Sequence, residues 1–560
     1  MVYLSPRHLV ETEEGSVRQF LMQSGKRPRG GLRLAGASAS LALGLLPALH
    51  AGDPVVIKIK TQPATTFAAG FSGFNTAQPR DTVEYYDPKF VKVVKPLNGG
   101  LLRYPGGTVS LDFDWNPANL TGGHTNPTWM NDLIAGSPPE VSGQSASILT
   151  MAADLTQAKG GAYFSDFATL ANTLGTRTIL CFNSYTDTNH GSATQMAQAA
   201  QGYELNVVEW ELGNEAYQYP GIYPTGSDYV TLSNSYFNDI QAGALAATVG
   251  LFAGGWYPGS AGCGAGAAPP QACFPSWDQA VWQSSAPPYW NAVSNHIYPI
   301  VTPTSPQNTM WTLNGILAHG SSDYMNSYII PLAGAGTPIF ITEFNCCADY
   351  DDKFLSYLYN GIFLAEYIAR LSTVPNVQGV AIDSLYTDNS DYHGLIQSMD
   401  DFETYLLGQL AQNPDYSTDT ATNPMTQFQF YTSAPGLAME VANQAINSGT
   451  HIWPTTVTGG PTVNIIGFDG NPVPAIYAQA YLSSTGKHFV LITNKSSEEQ
   501  NATIELNGAP VVATFNLTYV ANSSPTAANT KDAPKNVKIQ QKTSLNPIHV
   551  AGYSVTSAMW

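Results

Sequence analysis

The chain has 560 residues, enough for a large core and an appended smaller domain. Its formal net charge is −18, from 23 basic and 41 acidic residues, and only 11% of its residues are charged. An ordered, loop-rich protein fits this composition, whereas a disordered chain does not, and we expect no nucleic-acid partner because the acidic surface would repel one.

The N-terminus has the pattern of an export signal. Four basic residues between positions 26 and 33 precede an apolar run over 34–46 that is too short to span a bilayer comfortably. We expect cleavage near Ala51 and treat 1–51 as an export segment. Its loss removes six basic and three acidic residues and takes the charge from −18 to −21. The expected product is secreted or periplasmic and has no membrane association after signal removal.

Five cysteines are too few for a disulfide scaffold in a chain of this length. Cys263 and Cys273 flank a Gly/Ala/Pro-rich loop, and the sequence leaves open whether they are bridged. Cys346 and Cys347 are adjacent, where a mutual bridge would strain the backbone. No Cys/His set has the spacing of a zinc site, so no metal or cofactor is predicted.

Short apolar runs alternate with helical segments through most of the chain. This order predicts an α/β fold, a (β/α)8 barrel over 65–445. A doubly wound sheet is disfavoured, because no Gly-rich phosphate turn follows an early strand. The eight predicted strands are 66–74, 99–104, 177–183, 206–215, 248–255, 291–299, 337–344 and 377–386.

The C-terminal part has a different pattern. Alternating strands recur every ten to fifteen residues after a helical segment near 428–447, which predicts a β-sandwich domain over 446–560. The segment 52–64 contains PVVIKIK and is expected to add a strand to that sandwich.

Polar residues lie at the ends of four predicted barrel strands. Glu215 ends the fourth strand, Glu343 closes the seventh, and Arg103 nearly closes the second. His296 and Tyr298 end the sixth. Because the carboxyl ends of parallel barrel strands form one face, we expect these five side chains to converge there. Several ionisable groups buried together indicate a functional site rather than separate structural residues.

A pair of carboxylates across a barrel mouth suits glycoside hydrolysis. One group protonates the departing oxygen while the other attacks or shields the anomeric carbon. A separation of about 5–5.5 Å gives retention of configuration and about 6.5–9.5 Å gives inversion. Two more carboxylates, Glu209 and Glu211, lie earlier on the fourth strand, and we interpret them as structural residues of the barrel interior.

Four segments resemble the clan A retaining glycoside hydrolases. WELGNE (210–215) is similar to the acid/base segment of that clan, ITEFN (341–345) to its nucleophile segment, and NHIYP (295–299) to its His-x-Tyr segment. With LLRYPGGTVSLDFDW (101–115) and a trailing sandwich, the chain most resembles family 79, the β-glucuronidase and heparanase group. Family 51 arabinofuranosidases rank second.

The resemblance implies a role for each matching residue. Glu215 would be the general acid/base and Glu343 the nucleophile. Asn214 would hydrogen-bond the sugar 2-OH, and Tyr298 would hold the nucleophile in place. Arg103 would keep Glu343 ionised through its positive charge.

Further residues are substrate-binding candidates. His296 either orients the tyrosine or acid/base side or is a satisfied buried histidine. Trp115 and Trp256 could stack on sugar rings, although either could be a core residue. The resemblance makes Tyr392 and Gly394 candidates for recognising a uronate carboxylate.

The predicted activity is that of a retaining glycosidase, acting at the end of a chain on a β-linked glucuronide or related sugar. A long sulfated polymer would need a basic cleft, which the acidic composition disfavours. The alternatives are an α-L-arabinofuranosidase or other clan A enzyme, and a carbohydrate-binding protein without turnover. The expected partner is an oligosaccharide or glycoside.

Overall fold

Eight parallel strands close into a barrel, as the sequence predicts. The computed structural model describes residues 53–76, 85–107, 110, 113–114, 124–125, 164–184, 187, 191–219, 223–244, 247–256, 273–283, 289–300, 303–348, 352–387, 392–398 and 429–560. We number the barrel strands one to eight in chain order: Ser72–Asn75, Leu101–Tyr104, Arg177–Phe182, Asn206–Leu212, Val249–Phe252, Ala292–Ile297, Ile339–Phe344 and Val377–Ile382.

Helices follow the strands in the order that a (β/α)8 barrel requires. One of them begins with a capping box, in which Thr225 and Asp228 satisfy each other's backbone N–H groups. The described α-helices of the barrel are Pro88–Val94, Phe164–Leu174, Gly191–Gly202, Gly226–Gly243, Pro275–Trp282, Pro306–His319, Ser321–Tyr324, Ile330–Ala333 and Leu358–Leu371.

The barrel interior contains charged residues as well as apolar ones. Glu209 and Glu211, on strand four, have no solvent exposure, and neither has Arg103 on strand two. Strand five has a glycine next to Glu209. A Cβ at Gly250 would lie 2.0 Å from Oε1 of Glu209, so a larger residue there would clash with this side chain. Burial raises the pKa of Glu209 well above its ordinary value, and Ser294 Oγ donates to its Oε1 at 3.0 Å, whereas Glu211 is paired with Arg103 at 2.5 Å. The interior is therefore organised around hydrogen bonds and an ion pair.

The C-terminal part forms two larger sheets whose described strand pairs are antiparallel except for one. After the helix Ala434–Ile446, a seven-stranded sheet runs in the spatial order Thr65–Thr66, Gly449–Trp453, Ile476–Ser483, His488–Asn494, Ser554–Met559, Phe515–Ala521 and Ile539–Ser544. A second sheet faces it and shares one apolar core with it. The second sheet contains Thr455–Thr458, Val55–Ile59, Gln500–Leu506, Ala509–Pro510 and Ile548–Val550.

The N-terminal strand Val55–Ile59 lies inside the second sheet. It pairs in parallel with Gln500–Leu506 and antiparallel with Thr455–Thr458. Its alternate residues Val55, Ile57 and Ile59 are buried, which is the period-two pattern of a strand with one face on a core.

The disulfide bonding of the cysteines differs from one expectation. The structure joins Cys346 to Cys347, the adjacent pair for which we had expected strain to disfavour a bridge. Cys273 is disulfide-bonded, and Cys263 lies outside the described residues. Cys181 is a free, buried thiol. In the part of the chain that the structure describes, no helix is long and apolar enough to cross a membrane.

A buried ion pair joins the barrel to the sandwich. Glu366, on the helix Leu358–Leu371, accepts hydrogen bonds from Lys495 Nζ at 2.5 Å and Thr493 Oγ1 at 2.7 Å. Arg370 donates to its other oxygen at 2.8 Å. Although burial opposes ionisation, these two positive charges and the hydrogen bonds lower the pKa of Glu366. The carboxylate is therefore ionised and depends on its partners.

We expect Lys495→Met to destabilise the protein by about 3–5 kcal/mol, because it leaves part of a buried charge uncompensated. Chemical denaturation of the purified protein measures this. Glu499→Gln, which breaks an exposed pair with His549 at 3.1 Å, is the control and should change stability by less than about 1 kcal/mol. Equal losses in the two variants would contradict the role given to Glu366.

Candidate active site

Polar side chains from five barrel strands meet at the carboxyl ends of those strands. Arg103 lies in strand two and His296 in strand six, while Glu343 lies in strand seven. Glu215 follows strand four, and Asp383 follows strand eight. Hydrogen bonds, some of them through Tyr298, join these side chains into one network.

Glu215 and Glu343 face each other beside His296. One carboxylate oxygen of each glutamate and one ring nitrogen of the histidine all lie within 4.8 Å of one another. His296 Nδ1 is 2.9 Å from Oε1 of Glu215 and 3.6 Å from Oε2 of Glu343. The Glu215 side chain is 14% exposed and the Glu343 side chain 7%, so Glu215 is the one more open to water.

The backbone holds Glu215 in an unusual position. Its φ is 47°, in the left-handed region, and a short 3-10 turn, Ala216–Gln218, follows. This turn brings two side chains back over the carboxylate. The Tyr217 hydroxyl donates to Oε1 at 3.1 Å, and Gln218 Nε2 donates to Oε2 at 2.6 Å. The sequence analysis missed both residues, although they directly follow Glu215.

Glu343 is held by two donors. The Tyr298 hydroxyl lies 2.6 Å from its Oε1, and Arg103 Nη1 donates to its Oε2 at 3.1 Å. Burial nevertheless raises the pKa of Glu343 to about 7, helped by the negative charges of Asp383 and Glu215 and opposed by His296 and Arg103. The expected contact with Arg103 is therefore present, but it does not hold Glu343 fully ionised. The lost hydration of the carboxylate outweighs it.

Arg103 is shared among several acceptors. Its Nε donates to Oε2 of Glu211 at 2.6 Å, and Nη2 donates to Oδ1 of Asn214 at 2.8 Å. Glu211 is thus the structural counter-ion of the arginine. Since Asn214 accepts through its oxygen, its amide nitrogen is the end that can donate to a ligand.

His296 lies close to both Glu215 and Glu343. Although burial opposes its protonation, the nearby charges of Glu343 and Glu215 and the hydrogen bond to Glu215 raise the pKa of His296. The sequence leaves two roles open for His296, and of these the geometry favours orientation of Glu215.

Asp383 is a site residue that the sequence analysis missed. It is 3% exposed, and its Oδ2 lies 2.8 Å from the Tyr298 hydroxyl. A signal existed, because it is the polar residue at the end of strand eight. The family resemblance points instead to Tyr392 and Gly394, farther along the chain.

Two of the substrate-binding predictions do not fit the structure. Trp256 is 1% exposed and stacks on Tyr324 with ring centroids 5.7 Å apart, so it offers no open face to a sugar. The backbone N–H of Gly394 donates to Thr387 Oγ1 at 3.0 Å and is already used. Tyr392 is half-buried, and Trp115 lies outside the described residues.

The distances among Glu215, His296 and Glu343 would also allow them to hold a cation. Their existing contacts argue for a different use. Tyr217 and Gln218 donate to Glu215, and Tyr298 and Arg103 donate to Glu343. Because each carboxylate already accepts from protein donors, we assign no metal to this cluster.

No family model and no curated protein matches the sequence. Solved structures match in fold. An α-L-arabinofuranosidase of Thermotoga maritima, in complex with arabinose, aligns with a TM-score of 0.59 and 15% identity, covering 90% of this chain and 99% of that chain. A family 51 α-L-arabinofuranosidase from Bifidobacterium longum gives 0.59 and 14%, with the same coverage.

A family 44 xyloglucanase of Paenibacillus polymyxa aligns with a TM-score of 0.50 and 12% identity, again covering 90% of this chain and 99% of that chain. At such identities the similarity establishes the barrel-plus-sandwich fold. Two of these structures are arabinofuranosidases, one of them of family 51, and the third belongs to family 44, so they do not support the preference for family 79 that the motifs suggest.

Replacing Glu343 by glutamine should stabilise the protein above neutral pH. The folded state keeps a proton on Glu343 up to about pH 7, whereas the unfolded chain loses it near 4.5. The wild-type stability contributed by this group therefore falls as pH rises through that interval. We expect Glu343→Gln to gain a few kcal/mol over wild type at about pH 8 and little at about pH 4. Denaturation at both pH values tests this, and a pH-independent difference would contradict it.

Proposed function

We propose that this protein is a retaining glycoside hydrolase that works by double displacement. The observation that carries the proposal is the pair of carboxylate oxygens, one on Glu215 and one on Glu343, within 4.8 Å of each other. That gap fits the separation of about 5–5.5 Å typical of retaining enzymes and leaves no room for the water that inversion needs at about 6.5–9.5 Å.

The different surroundings of the two glutamates suit them to different catalytic roles. Glu343 is the nucleophile, because it is the more buried of the two and accepts a hydrogen bond from the cationic Arg103 as well as from Tyr298. Glu215 is the acid/base, because it is the more exposed and can exchange protons with water. The two carboxyl groups thus differ in their exposure and in their hydrogen-bond partners.

The reaction then has two balanced steps. In the first, the ionised Glu343 attacks the anomeric carbon, the glycosidic C–O bond breaks, and Glu215 gives its proton to the leaving oxygen. In the second, Glu215 takes a proton from water as that water attacks the anomeric carbon. The bond to Glu343 breaks, and both carboxyl groups return to their starting states.

The charges in the site favour a neutral sugar. Glu215, Glu343 and Asp383 are three acidic groups close together, and every nitrogen of Arg103 already donates to a protein acceptor. A uronate carboxylate would enter a region rich in negative charge, and the N–H of Gly394 is not available to it. A neutral sugar avoids that repulsion.

We therefore place α-L-arabinofuranosides, or another neutral terminal glycoside, ahead of β-glucuronides as substrates. The fold shared with two arabinofuranosidases supports this order. The net charge of −18 also opposes binding of a sulfated polymer. In line with the N-terminal pattern, we propose that the enzyme is exported.

A panel of nitrophenyl glycosides tests the function. We expect cleavage of the α-L-arabinofuranoside to exceed that of the β-glucuronide, because the described residues of the site are rich in acidic groups. We expect it also to exceed that of the β-glucoside and β-xyloside, in line with the fold shared with arabinofuranosidases. Activity on the β-glucuronide alone would reverse our order. No cleavage of any glycoside would remove the proposed function.

The roles of Glu215 and Glu343 can be separated by replacing each with alanine. Both changes should lower kcat by about 10²-fold or more, whereas Glu499→Ala, at the surface, should not. Added azide should yield a glycosyl azide of retained configuration with Glu215→Ala and of inverted configuration with Glu343→Ala. The opposite pairing would exchange the roles, and full activity in either variant would remove the assignment.

The pH profile should report the ionisation of Glu343. Because only the ionised carboxylate attacks, kcat/KM should fall as the pH drops through about 7. The measurement is kcat/KM for the best nitrophenyl substrate across the pH range of stability. An acidic limb near the ordinary glutamate value of about 4.3 would contradict this expectation.

A further inference from the structure

Asp383 lies at the far side of Tyr298 from the nucleophile. The Tyr298 hydroxyl is 2.6 Å from Oε1 of Glu343 and 2.8 Å from Oδ2 of Asp383. Both distances are those of good O–H···O hydrogen bonds. The three oxygens therefore form a chain with the phenol in the middle.

The two short contacts of the Tyr298 hydroxyl need more protons than the phenol supplies. A tyrosine hydroxyl carries one proton, and an ionised carboxylate can only accept. If both carboxylates were ionised, only one of the two short contacts could be a hydrogen bond, and the other would bring two lone pairs together. Two short contacts thus require one further proton, on Glu343 or on Asp383.

The surroundings of Asp383 fix which of its oxygens takes part. Asn75 Nδ2 donates to Oδ1 at 3.2 Å, so that oxygen is an acceptor and Oδ2 is the one that faces Tyr298. The backbone is also held, because the N–H of Asp383 donates to the carbonyl of Phe344 at 2.9 Å, and Asn345 Nδ2 donates to the Asp383 carbonyl. Asp383 is therefore presented to Tyr298 in a defined orientation.

We propose that Asp383 and Glu343 share one proton through Tyr298, and that Asp383 is the positioning residue that helps to keep this proton on the pair. This inference rests on the proposed function. The proton of Glu343 can pass to the Tyr298 oxygen while the Tyr298 proton passes to Oδ2 of Asp383, so the proton is held between the two carboxyl groups. The pair must release this proton before Glu343 can act as the ionised nucleophile, so its release sets the acidic limb of kcat/KM.

The other charges around Glu343 are consistent with a shared proton. Glu215 and Asp383 are negative neighbours, and His296 and Arg103 are the positive ones. Arg103 divides its charge between Glu343 and Glu211. Burial together with the two acidic neighbours outweighs the two bases, which raises the pKa of Glu343.

The first test compares the acidic limb of kcat/KM in wild type and Asp383→Asn. The amide can neither take the proton nor repel the Glu343 charge, so the limb should move to lower pH by about one unit while kcat stays within about tenfold. Asp278→Asn is the matched control. Asp278 is also buried beside a tyrosine, with Oδ2 2.5 Å from the Tyr328 hydroxyl, and its replacement should leave the limb in place.

Tyr298→Phe shows whether the phenol carries the effect. We expect Asp383→Asn to shift the limb much less in the Tyr298→Phe background than in wild type. An equal shift in both backgrounds would mean that only the field of Asp383 acts and would overturn the shared proton. Absence of a shift in the single variant would overturn it as well, since a merely structural role lowers activity without moving the limb.

Thermal unfolding gives a readout that needs no substrate. The unfolded chain releases both protons near the ordinary carboxyl values, whereas the folded wild type keeps the shared one to higher pH, so its melting temperature should fall between about pH 5 and about pH 8. Asp383→Asn should flatten this fall. Asp278→Asn removes another buried carboxyl group. Because burial raises the pKa of Asp278 to about 7, this variant shows how much the loss of one such group changes the melting profile.

A melting profile of Asp383→Asn parallel to that of wild type would overturn the shared proton. If no glycoside is cleaved in the panel, the proposed function fails. The melting profiles then decide alone whether the two carboxyl groups share a proton.

Discussion

The buried charge of Arg103 is the constraint on which the rest of the site depends. A guanidinium with no solvent exposure is stable only among acceptors, and here they come from two separate regions of the barrel. Glu211 and Asn214 come from strand four and the turn after it, and Glu343 comes from strand seven. One cation thereby ties strand two to the strand that carries each member of the carboxylate pair.

Because Arg103 is shared, it does not neutralise Glu343 by itself. Among the described residues around Glu343, acidic groups outnumber basic ones, and burial adds to the effect of this imbalance on its pKa. Such a site retains protons near neutral pH, holds its carboxylates through hydroxyl and amide donors, and disfavours an anionic ligand. The proposed preference for a neutral sugar and the proposed sharing of a proton through Tyr298 both rest on this excess of negative charge.

The sandwich and the barrel belong to one structural body. Helix Ala434–Ile446 packs in the same apolar core as residues of the seven-stranded sheet, including Leu491 and Val555. The Glu366–Lys495 pair adds a specific polar link. The fold is similar to that of an arabinofuranosidase at 15% identity, which is possible because an apolar core tolerates many combinations of side chains.

The sequence by itself determined the order of strands and helices and the convergence of polar residues, because parallel barrel strands present all their carboxyl ends on one face. Glu215, Glu343, Arg103, Tyr298 and His296 could be found in this way. Only the tertiary structure decided what surrounds them. Burial of Trp256, the bond that occupies Gly394, and the contacts of Asp383 and Gln218 depend on packing and on local turns. The ionisation of Glu343 depends on charges from distant segments, and no local pattern encodes their distances.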